Sequence, residues 1–286
     1  MRILGSDLKK VIMNTCFVAA PVMVFILCFT SNVYTDMSRD RVYTVFESLV
    51  DLDRDLIKDN SSFASIKVIS IVFSGYMAMF MPIIAAFPFI MSFCTERSSG
   101  LMRLEMARCG KWRYYLSKFA AALISGGLVV VIGIVMFSIA AAMLFPSLSS
   151  YGLSDSEIRM MLPEGEKMTF TRTMISAFVY GSLSTLPAFL VSSVSRNPYL
   201  ITSIPFMLDF IRDTGIKKAV SAGVEKGDMS VLSRYNPLSS NAITYLIPSG
   251  LPVEMIRRTI IISLLSIAAA FLGFVLFMEA RADKGV

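Results

Sequence analysis

Of the 286 residues, 55% are hydrophobic and only 17% carry charge, whereas soluble domains run nearer a quarter charged; too little polar surface remains to cover a globular core. The net charge of +6 does not indicate nucleic-acid binding, because the basic residues fall between apolar stretches. Histidine is absent, which excludes Ser-His-Asp and Cys-His catalysis, His-containing zinc sites and histidine proton relays.

A bilayer crossing takes about 20 mostly apolar residues. Six stretches spread along the chain read as spans, at about 11–30, 66–93, 113–145, 170–194, 199–211 and 256–278. The expected fold class is an all-α integral membrane protein, one transmembrane domain over 1–286. The first span follows a basic flank of Arg2, Lys9 and Lys10. Its apolar run exceeds a signal-peptide core and no clean A-x-A site follows, so it is expected to be a retained helix. In the polar, acidic segment 31–65, Val42, Val45, Phe46, Leu49, Leu52 and Leu56 recur at three- and four-residue steps. That spacing predicts an amphipathic helix, lying on the membrane or on neighbouring spans, or capping a translocation path.

The second span contains Pro82 and Pro88, each able to kink a helix. Residues 94–118 are the densest basic segment, where Ser98 or Ser99 can cap a short helix and Gly110 can end it. The third span is to stop at Pro146, and its small residues Ala122, Gly126, Gly133 and Ala140 predict a close-packing face. Ser154 to Glu157 fits a capping box, for a short helix that Pro163 ends. The fourth span holds Pro187 and many hydroxyls, Ser182 and Thr185 among them, which bond neighbouring backbone or line a polar path. Ser195 to Pro198 reads as a tight turn before a short fifth span. The apolar piece 242–247, between Asn236-Pro237 and Pro248, is too short to cross and is a re-entrant or interfacial candidate.

Cys16, Cys28, Cys94 and Cys109 form no CxxC motif and the long polar loops hold no cysteine, so all four read as free thiols. With both termini inside, the cytoplasmic segments hold 12 Lys/Arg and five acids, leaving 15 basic and 16 acidic residues outside. The short inside loops are then much denser in Lys/Arg, as the positive-inside rule requires.

Residues 92–118 combine a span end, Glu96-Arg97, Gly100 four residues after Glu96, a short amphipathic stretch to Gly110, and Lys111-Trp112-Arg113-Tyr114-Tyr115-Leu116-Ser117-Lys118. This resembles the cytoplasmic loop of type-2 ABC exporter permeases (the ABC-2 family). The layout of six spans, both ends inside, a kinked second span, a short fifth span and a re-entrant region before the sixth is similar too. The resemblance implies that 99–109 is a coupling helix seated in a groove of a separate ATPase, with Glu96, Arg97, Ser99, Gly100, Leu101, Leu104, Arg108 and Lys111 at the contact. Met79, Pro82, Ser182, Thr185 and Pro187 are the substrate-path candidates. No G-x-x-x-x-G-K-[ST] P-loop occurs in the chain, so ATP and Mg would belong to the partner. No cofactor and no metal is expected in the chain itself. Two ATPase copies, a second permease that is identical or related, and membrane lipids are the implied partners, in a bacterial plasma membrane. The implied cargo is hydrophobic or amphipathic: a peptide, lipid or drug. The sequence departs from the family in its short N-terminal flank and its larger polar loops. Other readings are a non-transporting immunity or assembly factor on the same fold, and an ion-coupled transporter, although the spans carry almost no ionisable residues.

Overall fold

A computed structural model of the chain describes residues 2–36, 41–73, 76–162, 165–225 and 253–282. The protein is mostly helical, and among the described residues four helical stretches are long and apolar enough to cross a membrane, or five if one bent pair counts as a span. It is therefore a multi-span membrane protein. The re-entrant candidate 242–247 and Pro163 lie outside the described residues.

The first span differs from its expected bounds. Helix α1 (Arg2–Ile12) and helix α2 (Thr15–Cys28) meet at a 63° bend. The cause is Asn14, whose side chain accepts the Cys16 N–H at 3.2 Å and starts a new helix. The basic flank is thus itself an amphipathic helix. Helix α2, with 14 residues, is only about 21 Å long.

Segment 31–65 is not one amphipathic helix. A two-stranded antiparallel hairpin, β1 (Asn32–Asp36) with β2 (Arg41–Thr44), leads into α3 (Val45–Asp51) and α4 (Arg54–Asp59). A capping box between Thr44 and Glu47 starts α3, and Leu52 is extended, which separates the two helices. The apolar residues do not share one buried face: Val45 is buried while Val42 and Phe46 are exposed.

The second span is broken as well. Helix α5 (Ser65–Ser70) ends before α6 (Tyr76–Ser98) begins. Ser31 Oγ donates to Val72 O at 2.9 Å, tying the turn between them to the end of α2. Pro82 and Pro88 both lie within α6.

Helix α7 (Leu101–Cys109) and helix α8 (Lys111–Leu144) follow, and Phe145 is extended before Pro146, as the residue preceding a proline prefers. Helix α9 (Asp155–Met161) starts with the expected Ser154–Glu157 capping box. The fourth span is two helices, α10 (Glu166–Ser184) and α11 (Leu186–Val194), with Pro187 in the first turn of the second. That position needs no backbone donor. Asn197 accepts the Tyr199 N–H at 3.0 Å and opens α12 (Pro198–Glu225). This 28-residue helix runs past 211 through Arg212 and Lys218, so the short fifth span read from sequence is the apolar half of a longer helix. Helix α13 (Val253–Ala282) closes the described chain and takes in the start of the expected polar tail.

Helices α2, α6, α8, α10 and α11 share one continuous apolar core. The small-residue face of α8 lies against α10 and α2. A Cβ on Gly126 would stand 2.9 Å from Gly181 O, and one on Gly133 would stand 2.8 Å from Pro21 O. Backbone cannot retreat from such contacts, so Gly181→Ala, whose Cβ would meet Gly126 O at 2.5 Å, should destabilise the protein by about 1–3 kcal/mol. Gly5→Ala in α1 meets nothing within 4 Å and should leave thermal unfolding in detergent unchanged or slightly raised. Equal behaviour of the two variants would show that α8 and α10 are not this close.

Candidate functional site

Helix α7 sits between two glycines with left-handed backbone, Gly100 (φ 74°) and Gly110 (φ 83°), a geometry that side chains with a Cβ rarely adopt. Gly100 is the N-cap. Ser98 and Ser99 do not cap α7; their hydroxyls donate back to Thr95 O and Glu96 O at 3.0 and 3.2 Å and finish α6. Gly110 ends α7 as the sequence predicts.

The helix has two faces. Met102, Met106 and Cys109 pack against the core. Leu101 and Leu104 are 45 and 64% exposed, as is Trp112 just beyond, at 61%. Arg103, Arg108, Lys111 and Arg113 are exposed around them. Among the expected contact residues, Leu101, Leu104, Arg108 and Lys111 therefore share an apolar surface with a basic rim.

Glu96 and Arg97 are placed differently. Glu96 is 5% exposed and belongs to a buried ionic node with Asp7 and Lys118, both 3% exposed. The Lys118 Nζ lies 2.7 Å from Asp7 Oδ1 and 3.5 Å from Glu105 Oε2, and also bonds Glu96 Oε2. Ser117 Oγ donates to Asp7 Oδ2 at 2.5 Å. Lys10 joins Glu96 at 3.1 Å and Glu105 at 2.5 Å from the more exposed side. Five charged side chains thereby tie together α1, α6, α7 and α8. Arg97 reaches elsewhere: its guanidinium donates to the carbonyls of Ser192, Ser193 and Ser195, at 3.5 Å for Ser193 and 2.9 Å for Ser195. It closes the C-terminal end of α11, where a cation also meets the negative end of the helix dipole.

Asp7, Glu96 and Glu105 could between them hold a metal ion, their ligand atoms lying within 4.8 Å of one another. Lys118 already supplies a cation to all three. The cavity between Asp7, Ser92, Glu96 and Lys118 is about 10 Å³, room for one water at most. The node is a packed joint, and a small-molecule site would need far more space. Tyr114 lies beside it with its ring 5.2 Å from the Lys118 ammonium, and its buried hydroxyl has no hydrogen-bond partner among the described residues. Next to the node, Phe89, Phe93, Phe119, Phe189 and Phe274 form an aromatic cluster across α6, α8, α11 and α13, its closest ring pair, Phe189 with Phe274, at 4.1 Å.

The substrate-path candidates lie in helix seams. Ser182 donates to Leu123 O on α8 and to Phe178 O, at 2.9 and 2.8 Å, and Thr185 to Ser182 O at 2.7 Å. These hydroxyls are committed to backbone carbonyls. Pro82 is buried in α6, while Met79 and Pro187 are half-buried.

The sequence reading counted Asp7 and Glu105 among the charges, placed Lys10 in a basic flank and quoted Lys118 at the end of the 111–118 motif, but gave none of them a site role. The signal was nonetheless present: Lys118 opens an α8 run that carries no charge for the next 26 residues, to Leu144, and such a charge needs a partner. No known protein-family model matches this chain, and no curated protein matches it.

Lys118→Met leaves two buried carboxylates without their nearest cation and should cost about 3–5 kcal/mol, whereas adding Asp7→Asn and Glu96→Gln should recover part of the loss. Thermal unfolding in detergent reads both, and a further loss in the triple variant would contradict the node. Partial burial alone would raise the Glu105 carboxyl, but the bond from Lys10 and the charge of Lys118 outweigh it and hold Glu105 below the ordinary carboxylate range. A carboxyl depressed by folding contributes stability above its unfolded value of about 4.3 and loses it as pH falls through the depressed one. Glu105→Gln should therefore lose less stability than the native chain on acidification below pH ~4; parallel titrations would remove Glu105 from the ion pairs.

Proposed function

We propose that this chain is the membrane-spanning permease subunit of an ATP-driven exporter of the ABC-2 type, with α7 as the coupling helix on its cytoplasmic side. The observation that carries the reading is α7 itself: a short helix hinged by two glycines, with one face held in the core and the other presenting Leu101, Leu104, Arg103 and Arg108 outward. Such a face fits an apolar groove with an acidic rim on a soluble partner. Leu101, Leu104, Arg108 and Lys111 make the contact in this proposal. Glu96 and Arg97 act from behind it, Glu96 through the ion-paired node and Arg97 through the end of α11. Force applied to α7 then passes into α1, α6, α8 and α11 together.

The rest of the proposal follows the same resemblance. Six spans cross the plasma membrane with both termini in the cytoplasm, and a re-entrant region precedes α13. Two ATPase copies supply ATP and Mg, and a second permease, identical or related, completes the pathway for a hydrophobic or amphipathic cargo. The described charged side chains of the node are mutually paired, which supports a driven subunit over an ion-coupled one, since ion coupling needs ionisable groups along the path.

Purification of the full chain from its native membrane in mild detergent tests the reading. A P-loop ATPase should co-purify in stoichiometric amount, and Leu104→Asp combined with Arg108→Glu should abolish that association while leaving the chain folded. A chain that purifies alone under several mild conditions would overturn the coupling-helix assignment.

A further inference from the structure

The end of α2 farther from α7 carries a feature that the coupling mechanism does not use. Helix α3 begins where α2 stops: Phe46 N–H donates to Phe29 O at 3.0 Å, and Val45 N–H donates to Ser31 O at 2.9 Å. Val45 and Ser48 turn into the protein. Phe46 and Val50, one helical turn apart, turn out of it and are 61 and 66% exposed, and Val42 on β2 just before is 46% exposed. Helix α2 shows the same spacing on its own outward side, where Val18, Val22 and Ile26 are 68, 41 and 58% exposed. On a membrane helix such a side faces acyl chains. The apolar surface of α2 therefore reaches its last turn, and α3, whose first turn is bonded to the residues just after it, adds Phe46 and Val50.

We propose that α3 is an interfacial anchor that inserts Phe46 and Val50 into the boundary between headgroups and acyl chains, in the leaflet at the far end of α2. It holds the hairpin and α4 against the lipid surface. A lipid surface suits this short element better than a second copy of the chain, because two or three side chains supply far less than the roughly 800 Å² per partner of a stable interface. The polar side of the anchor agrees. Arg41 pairs with Glu47 at 3.7 Å and Asp51 at 3.3 Å, so the cation beside the stripe is already taken up by two carboxylates of the protein. Binding then comes from apolar insertion, in contrast to the Lys- and Arg-rich interfacial helices that depend on anionic lipid.

The single tryptophan of the chain, Trp112, makes the test direct. Full-length protein carrying Trp112→Phe and Phe46→Trp is reconstituted in phosphatidylcholine vesicles, with a fraction of the lipid brominated either high on the acyl chain or near its middle. The emission should fall by about twofold with the shallow quencher and less with the deep one, with no dependence on anionic lipid or salt, as expected of an interfacial residue. Val50→Trp in the same background is the second reporter, used if Phe46→Trp does not fold, and Val22→Trp marks the acyl region. Emission that ignores both brominated lipids but responds to aqueous iodide would place α3 in water and overturn the proposal. Emission that is shielded from iodide and from brominated lipid alike would overturn it in favour of a protein covering the stripe.

Discussion

An ammonium group cannot be left without a counter-charge in an apolar interior, and Lys118 puts one there. Its Cα is fixed by α8, so the carboxylates have to come to it. Asp7 brings α1, Glu96 brings the end of α6, and Glu105 brings α7. Lys10 then bridges Glu96 and Glu105 from the more exposed side. The bend at Asn14 belongs to the same constraint. A straight helix from Arg2 to Cys28 would carry Asp7 along the axis of α2, and the 63° turn instead lays α1 across α6 and α8.

Above the node the bundle is held by shape. Gly126 and Gly181 let α8 and α10 approach until backbone meets backbone, the device membrane helices use where lipid leaves no hydrophobic drive between them. Hydroxyls in α10 and α11 return to carbonyls three or four residues back, so they add no unsatisfied polar surface. The aromatic rings of α6, α8, α11 and α13 fill the space next to the ionic joint. Charge fixes the relative position of four elements, and close packing passes that position along the spans.

A joint of this kind gives α7 a mechanical meaning. Two left-handed glycines isolate it from α6 and α8 as a separate rigid piece, while Met102, Met106 and Glu105 fasten its inner side. Its outer side is left with leucines amid arginines. In the proposed coupling, an element that is hinged in its backbone but clamped through its side chains would take a load from a soluble partner and deliver it to several helices at once. Arg97 links the end of α6 to the end of α11 through three backbone carbonyls, and in that proposal would extend the delivery to α11.

Sequence alone determined that the chain is a helical membrane protein, because apolar runs of bilayer length and a scarcity of charge leave no other solvent for it. It also determined the C-terminal limit of α7, since Gly110 ends a helix by local backbone geometry, and the Ser154 cap and the stop before Pro146, which are local for the same reason; the start of α7 at Gly100 it placed one or two residues early. It misplaced the breaks at Asn14, after Ser70 and at Thr185, where hydropathy continues across and a capping bond, a tertiary hydrogen bond or a first-turn proline decides. It took the apolar period in 42–56 for one helix, whereas a hairpin and a second cap divide that stretch. The node was out of its reach altogether. Asp7 and Lys118 are 111 residues apart, and only the packing of α1 on α8 makes them one ion pair; burial then turns a pair of charges that would be nearly neutral in water into the joint on which the bundle turns.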